Sequence, residues 1–185
     1  MNIKRNKLII FDRDGTLNKL IVHGKELRSP RSLEEFTLID GAKEVLSTLK
    51  SQGNFIGVAT NQPEVSRNFI SIEKLDLIHE FLLKEIEGID VIEVCLHDNE
   101  DNCCCRKPKV GLLEKINKNF NITKDQCYII GDRWTDVLAG KNYQIKSILI
   151  ETDYSYKPTS QGVSPKDLTP DFTIHNIGEC LKIIS

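Results

Sequence analysis

Acidic residues of the kind that transfer phosphoryl groups or bind hard cations occur at two places in the chain. Asp12 and Asp14 are separated by one residue and follow the apolar run 8–11 directly, and Gly15 permits a turn. Asp12 could attack phosphorus as a nucleophile or ligate a hard cation, and Asp14 could donate and accept a proton. Asp132 adds a third carboxylate, which a magnesium site beside Asp12 needs. A solvated turn without chemistry is the alternative for the first motif, and we favour it less.

A second group of residues could bind a different metal. Cys95 and His97 are followed, after a polar loop, by the consecutive cysteines Cys103, Cys104 and Cys105. Without Cys104, this group supplies three thiolates and one imidazole, a closed tetrahedral set typical of structural Zn²⁺. Buried reduced cysteines are the alternative, but the loop between them is too polar to bury them. Cys104 either replaces a neighbour as ligand or points outward.

Hydroxyl, amide and cationic side chains follow two further apolar runs. Thr60 and Asn61 carry donors that could hold phosphate oxygens, although a helix cap or a turn uses the same residue types. Arg67 is either a second contact to an anion or a solvated charge. Lys107 could contact a phosphoryl group, and Arg106 the rest of an anionic substrate. A solvated turn is the alternative for these last two residues.

The elements that must position these residues alternate between strands and helices. Apolar runs typical of strands buried on both faces of a parallel sheet occur at 8–11, 55–59, 91–96, 128–130 and 147–150. Helical spacing of apolar residues occurs at 42–50, 71–87, 111–120 and 134–141. A surface loop at 154–170 precedes a short final strand and helix. This order predicts a doubly wound α/β fold with a mostly parallel sheet, in which ligands bind beyond the carboxyl ends of the strands.

The composition is that of an ordinary soluble protein, and the length suits one domain, residues 1–185. The chain has 25 Lys and Arg against 27 Asp and Glu, and this net charge of -2 argues against a nucleic-acid partner. No apolar stretch approaches the ~20 residues that span a bilayer, and the run after the basic residues 1–7 is too short for a signal peptide. We therefore expect a cytoplasmic protein without a membrane partner. In that reducing compartment, clustered cysteines favour metal binding over disulfides.

Four motifs, taken in order, resemble those of the haloacid dehalogenase superfamily of phosphotransferases. They are D-x-D-G-T at 12–16, T-N at 60–61, a lysine at 107 and G-D-x-x-x-D at 131–136. The resemblance covers about residues 8–149. The Cys/His loop directly before R-K-P narrows it to the zinc-containing phosphatases of this superfamily that lack a cap domain. It implies a Rossmann-like fold and a phosphatase that acts on a small phosphorylated metabolite.

The resemblance assigns catalytic and metal-binding roles to the carboxylates. Asp12 would form an aspartyl-phosphate, and Asp14 would protonate the leaving alkoxide and then activate the hydrolytic water. The carboxylates of Asp12 and Asp132 and the main-chain carbonyl of Asp14 would hold Mg²⁺. Asp136 either supports this site or is an early helix residue that complements the helix dipole.

Contacts to the substrate are implied for residues in the other motifs. Thr60 and Lys107 would stabilise the transferred phosphoryl group, with Asn61 nearby, and Arg106 would contact the rest of the substrate. Arg67 matches an arginine of the heptose bisphosphate phosphatases. It favours a sugar bisphosphate such as D-glycero-D-manno-heptose 1,7-bisphosphate, because a second phosphate needs a second cation.

Other substrates and another class of function are the alternatives. The residues after T-N-Q, P-E-V-S-R-N at 63–68, keep the arginine of the heptose enzymes but replace both glycines of their S-G-I-A-R-G. The segment 103–110 is closer to the histidinol-phosphate phosphatases, which are the alternative enzymes. A zinc-stabilised module that binds without turnover is disfavoured by the carboxylates. We expect a monomer, and only ordinary roles for His23, His79 and His175.

Overall fold

A computed structural model describes residues 6–24 and 26–184, so most of the basic N-terminal segment lies outside the described residues. The described strands are, in chain order, β1 (Leu8–Phe11), β2 (Ile21–His23), β3 (Glu26–Arg28), β4 (Phe55–Asn61), β5 (Val91–Cys95), β6 (Cys127–Gly131), β7 (Lys146–Ile150) and β8 (Phe172–Ile174). Six of them form a parallel sheet in the order β5-β4-β1-β6-β7-β8. The other two form an antiparallel hairpin.

The central strand β1 shows why the apolar runs become buried strands. Ile9 and Phe11 belong to one hydrophobic core, and Leu8 and Ile10 belong to a second core. All four side chains are fully buried. Because successive side chains of a strand point to opposite faces, an apolar run without alternation needs a covering layer on both sides of the sheet.

Helices supply these two layers. They are α1 (Ala42–Ser51), α2 (Ile72–Glu85), α3 (Gly111–Phe120), α4 (Trp134–Tyr143) and α5 (Cys180–Ile184). Apolar residues of α1, α2 and α5 join the core of Ile9, whereas those of α3 and α4 join the core of Leu8. The hydroxyl of Ser71 accepts a hydrogen bond from Lys74 N at 3.4 Å and caps the start of α2. The predicted doubly wound α/β fold is confirmed.

The predicted elements are all present, with ends that differ by at most two residues from the prediction. The hairpin of β2 and β3 was not predicted, because its side chains are mostly exposed and Val22 is 73% exposed. In the described chain, this hairpin follows β1, and its residues line the cleft at the strand ends together with residues of the loop after β4.

Candidate active site

The carboxyl ends of three neighbouring strands meet beside a cleft of about 580 Å³. Asp12 follows β1, Asn61 ends β4 and Asp132 follows β6. Because β1 lies between β4 and β6 and all three are parallel, residues far apart in the chain come together at one edge of the sheet. Six of the predicted site residues line the cleft: Asp12, Asp14, Asn61, Arg67, Arg106 and Lys107.

Lys107 lies between two carboxylates at this edge. Its Nζ is 2.9 Å from Asp12 Oδ1 and donates a hydrogen bond to Asp136 Oδ1 at 2.6 Å. Lys107 is 1% exposed. The Asn61 side chain makes two hydrogen bonds to the main chain of Lys107. Its Nδ2 donates to Lys107 O and its Oδ1 accepts from Lys107 N, both at 3.0 Å. The predicted residue Asn61 therefore positions Lys107.

Burial and charge act in opposite directions on these groups. Burial alone would lower the pKa of Lys107, but the negative charges of Asp12 and Asp136 outweigh it and raise that pKa. Burial raises the pKa of Asp12 to about 7, although Lys107 lowers it. The Lys107 ammonium is therefore firmly protonated and helps to keep the Asp12 carboxylate ionised near neutral pH.

Three carboxylates lie close together at the strand ends, as a bound cation requires. Oxygen atoms of Asp12, Asp132 and Asp136 lie within 4.8 Å of one another. Asp132 is fully buried, and within the described part of the chain its Oδ2 has no hydrogen-bond partner within 3.5 Å. Burial, followed by the charges of Asp12 and Asp136, raises the pKa of Asp132. Because Mg²⁺ prefers carboxylate oxygens, this donor set fits the cation predicted from the sequence.

Gly15 makes the close approach of Asp132 to the first motif possible. A Cβ atom at Gly15 would lie 2.1 Å from Asp132 Oδ2, and the backbone φ of Gly15 is +86°. Any side chain would thus both clash with the carboxylate and strain the backbone. Gly15 is therefore required for the close approach of Asp132 to the first motif.

Hydrogen bonds hold the side chain of Asp14 outside the cluster of the Asp12, Asp132 and Asp136 carboxylates. Arg13 Nη2 donates to both carboxylate oxygens at 2.9 Å, Asn18 Nδ2 donates at 2.9 Å and Gln62 Nε2 donates at 2.6 Å. Burial alone would raise the pKa of Asp14, but these contacts hold it below its usual value. Asp14 is therefore a carboxylate in this arrangement. Its assignment as a main-chain ligand of Mg²⁺ stays a prediction.

Arg13 and His79 form a buried pair that the sequence analysis missed. Arg13 is fully buried, and its Nη1 lies 2.9 Å from His79 Nε2. Because a guanidinium only donates, His79 Nε2 must accept, which requires the neutral ring. Burial, and then the charge of Arg13, lowers the pKa of His79 to about 4. His79 therefore has a definite partner, which the sequence analysis did not predict.

Thr60 lies beneath the cleft and does not line it. It is 1% exposed, and its Oγ1 accepts a hydrogen bond from Gln62 Nε2 at 2.7 Å. The same Gln62 nitrogen donates to Asp14. Thr60 is thus connected to Asp14 through Gln62, and its contact to the phosphoryl group stays a prediction.

The predicted zinc ligands form one cluster. The Sγ atom of Cys95 lies 3.7 Å from Cys103 Sγ and 3.2 Å from Cys105 Sγ. His97 Nδ1 lies 3.6 Å from Cys95 Sγ and 3.3 Å from Cys105 Sγ. All four donor atoms lie within 4.8 Å of one another. A tetrahedral Zn²⁺ site with Zn–S bonds of about 2.3 Å has edges of roughly 3.8 Å, so the donor set fits zinc. Cys104 is exposed and lies outside the cluster.

Arg106 connects the zinc-ligand cluster to the part of the cleft that arginines line. Arg106 N donates to Cys103 Sγ at 3.4 Å, and the Arg106 guanidinium donates to His97 O at 3.2 Å and to Asn99 Oδ1 at 3.0 Å. Arg67 also lines the cleft, but its guanidinium is bound by both carboxylate oxygens of Asp98 at 2.5 and 2.7 Å. Arg67 is therefore a paired charge at the rim of the cleft.

Comparison with known proteins places these features in a family. The family model described as HAD-hydrolase-like matches residues 104–180. A D-glycero-beta-D-manno-heptose-1,7-bisphosphate 7-phosphatase of Helicobacter pylori (strain J99 / ATCC 700824) is 32% identical over 171 residues, which cover 90% of this chain and 95% of that protein. This chain belongs to the haloacid dehalogenase family of phosphatases. It is accordingly a phosphoric monoester hydrolase.

Two further comparisons agree with this family. A phosphatase of the same name from Pasteurella multocida (strain Pm70) is 35% identical, and the match covers 79% of this chain and 82% of that protein. A crystal structure of a D,D-heptose 1,7-bisphosphate phosphatase from B. bronchiseptica, in complex with magnesium and phosphate, has a TM-score of 0.79 at 25% identity. The match covers 96% of this chain and 97% of that one.

Among the described helices, none has the length and apolar character needed to cross a membrane.

Proposed function

We propose that this haloacid dehalogenase phosphatase hydrolyses a sugar bisphosphate, such as D-glycero-D-manno-heptose 1,7-bisphosphate. The observation that carries the proposal is the contact of Asp12 with Lys107 in a cleft that Arg67 and Arg106 also line. One anion site beside Asp12 and further cations along the same cleft suit a substrate with two phosphates. The heptose bisphosphate phosphatases among the relatives support the same substrate class.

Asp12 acts as the nucleophile in this proposal. A carboxylate oxygen of Asp12 forms a bond to phosphorus as the bond from phosphorus to the sugar oxygen breaks, which yields an aspartyl-phosphate. Lys107, 2.9 Å from Asp12, offsets the negative charge that would otherwise keep the two anions apart. Water then cleaves the aspartyl-phosphate and releases inorganic phosphate.

Asp14 transfers the protons in both steps. It gives a proton to the leaving alkoxide and takes one from the water that attacks the aspartyl-phosphate. The contacts from Arg13 and Gln62 favour the carboxylate, which is the form that accepts a proton from water. The first step needs the protonated acid and so uses the minor form of Asp14.

Two metal ions complete the proposal. Asp12 and Asp132 would hold Mg²⁺ together with the main-chain carbonyl of Asp14, and the cation would neutralise charge on the phosphoryl group. Zn²⁺ would have a structural role, because all its ligands come from the protein. The proposed zinc ligands are Cys95, His97, Cys103 and Cys105.

We also propose that the chain acts as one domain and as a monomer in the cytoplasm. The clustering of Cys95, Cys103 and Cys105 with His97, in an arrangement typical of a metal site, supports a reducing compartment. The small net charge of -2 supports a small-molecule substrate over a nucleic acid.

The decisive experiment compares substrates. We would measure kcat/KM for phosphate release with Mg²⁺ from D-glycero-D-manno-heptose 1,7-bisphosphate and from histidinol phosphate. We expect the bisphosphate to be preferred by at least about 10-fold, since one additional charge-assisted contact contributes about 1.5–3 kcal/mol. A preference for histidinol phosphate would refute the proposed substrate class but not the phosphatase chemistry.

A further inference from the structure

Glu64 is a buried residue of the cleft, and one of its carboxylate oxygens has no hydrogen-bond partner among the described residues. The residue is 8% exposed and lines the cleft that contains Asp12 and Lys107. Its Oε2 is buried, and no described residue places a hydrogen-bond donor within 3.5 Å of it. A buried carboxylate oxygen without a donor is unfavourable by several kcal/mol, so such a group in a binding cleft needs an explanation.

The main chain fixes Glu64 in this position. The residue lies just beyond the end of β4, and its carbonyl oxygen accepts hydrogen bonds from Phe69 N at 2.8 Å and from Ile70 N at 3.4 Å. Arg67 N donates to Pro63 O at 3.0 Å in the same loop. The loop is thus closed by its own backbone, and the Glu64 side chain is directed into the cleft by a defined turn.

The cations around Glu64 offset its charge but do not bind it. The carboxylate is close enough to influence the pKa values of Arg28, Arg67 and Arg106 through its charge. Arg28, however, donates to both carboxylate oxygens of Glu35, at 2.7 and 2.6 Å, and Arg67 is similarly bound by Asp98. Glu64 is therefore a hydrogen-bond acceptor in a cationic environment.

We propose that Glu64 accepts a hydrogen bond from a hydroxyl group on the sugar part of the substrate and so determines specificity. A hydroxyl group is favoured over an ammonium group, because the arginines along the cleft repel a cation but leave a neutral donor unaffected. The inference rests on the proposed function, since it concerns the same cleft. Glu64 also stands at a position where the chain departs from the S-G-I-A-R-G of the heptose enzymes, so the contact is a property of this chain.

The test compares a hydroxylated substrate with one that has no hydroxyl groups. We would measure kcat/KM of the wild type, Glu64→Ala and Glu64→Gln with the heptose bisphosphate, histidinol phosphate and p-nitrophenyl phosphate. Glu80→Ala is the control, because Glu80 is an exposed carboxylate on α2 that does not line the cleft. Thermal unfolding of each variant establishes that it folds.

A selective loss supports the proposal. For the heptose bisphosphate, we expect kcat/KM to fall about 10- to 100-fold in Glu64→Ala and about 3- to 10-fold in Glu64→Gln, whose amide oxygen still accepts a hydrogen bond. With p-nitrophenyl phosphate, we expect kcat/KM of the Glu64 variants to change by less than about 2-fold, and we expect the same of Glu80→Ala with every substrate. If Glu64→Ala does not fold, Glu64→Gln tests the proposal instead, by the same selective loss of kcat/KM for the heptose bisphosphate.

Three results would overturn the proposal. The first is an equal loss with all substrates, which indicates a structural role, and the second is no loss with the heptose bisphosphate. The third is a larger loss with histidinol phosphate, which indicates recognition of its ammonium group.

A wild type that hydrolyses p-nitrophenyl phosphate but no sugar phosphate would overturn the proposed function and this inference together. Turnover of the bisphosphate with an unaffected Glu64→Ala overturns this inference alone.

Discussion

The ammonium of Lys107 lies 2.9 Å from the carboxylate of Asp12, and the two residues follow different strands of the sheet. The loop before Lys107 contains the zinc-ligand cluster, and Asn61 holds the Lys107 main chain from the end of β4. The position of the Lys107 ammonium thus depends on two strands and on the loop that contains the zinc-ligand cluster. This arrangement relates the zinc-ligand cluster to the chemistry of Asp12 and leads to the predictions below.

Removal of Lys107 should reduce both stability and activity. Lys107→Met leaves Asp12 and Asp136 buried without their shared cation, which we expect to lower the free energy of unfolding by about 3–5 kcal/mol. Urea denaturation and kcat/KM for phosphate release measure the two effects. Lys109→Ala is the control, since Lys109 is exposed in the same loop. A Lys107→Met variant as stable as Lys109→Ala would contradict this account of the pair.

The zinc-ligand cluster predicts about one Zn²⁺ per chain. Cys103→Ser should lose the metal and lower the temperature of unfolding, because a structural zinc site contributes directly to folding. Cys104→Ser should keep the metal, because Cys104 is exposed and outside the cluster. Elemental analysis of protein purified without chelators, combined with thermal unfolding, distinguishes the two. Equal zinc content in both variants would show that the ligand set is wrong.

Arg67 should discriminate between substrates with one and two phosphates. Arg67→Ala is expected to lower kcat/KM for a sugar bisphosphate by about 10- to 100-fold, the value of one charge-assisted hydrogen bond, and to change it little for a monophosphate. Steady-state kinetics with a matched pair of sugar phosphates provides the measurement. Asp98→Asn is the informative companion, because it removes the charge that pairs with Arg67 but keeps the arginine. An equal loss on both substrates would exclude contact with a second phosphate.

His79 should make stability depend on pH. Its pKa is lowered from 6.5 to about 4 in the folded protein, first by burial and then by Arg13. Between these values the unfolded chain binds a proton that the folded chain does not, so stability is full above pH 6.5 and falls as the pH drops toward 4. The loss amounts to up to about 3 kcal/mol.

Urea denaturation at several pH values between 7 and about 4 tests this dependence. His79→Gln should show a smaller loss of stability across the window, whereas His175→Gln should behave like the wild type because His175 is exposed. If the wild type and His79→Gln lose stability in parallel, His79 is not the group responsible.

Short-range patterns were sufficient to predict most of the fold and to identify candidate site residues that the structure brings together at the strand ends. Asp12, Lys107 and Asp132 each belong to a motif that directly follows a strand or the zinc-ligand cluster, so local sequence determines where they lie. The ligand cluster was predictable for the same reason, because its members lie within one loop. Burial of the strands on both faces was implied by their apolar runs.

Contacts between distant elements could not be predicted in this way. The pair of Arg13 and His79 forms only because α2 packs against the loop after β1, and no local pattern encodes that contact. One signal was available, since His79 lies four residues after Leu75 and beside Ile78 on the buried face of α2. A histidine on such a face requires a partner. The β2–β3 hairpin gave no signal, because its side chains are mostly exposed.

The central claim is that Asp12 is the nucleophile of a sugar-bisphosphate phosphatase. The most direct measurement is Mg²⁺-dependent phosphate release from D-glycero-D-manno-heptose 1,7-bisphosphate by the wild type and by Asp12→Asn, with equal folding established for both. The account predicts turnover by the wild type and a loss of roughly three orders of magnitude or more in the variant, because an amide is a poor nucleophile. Equal rates for the two proteins would contradict it.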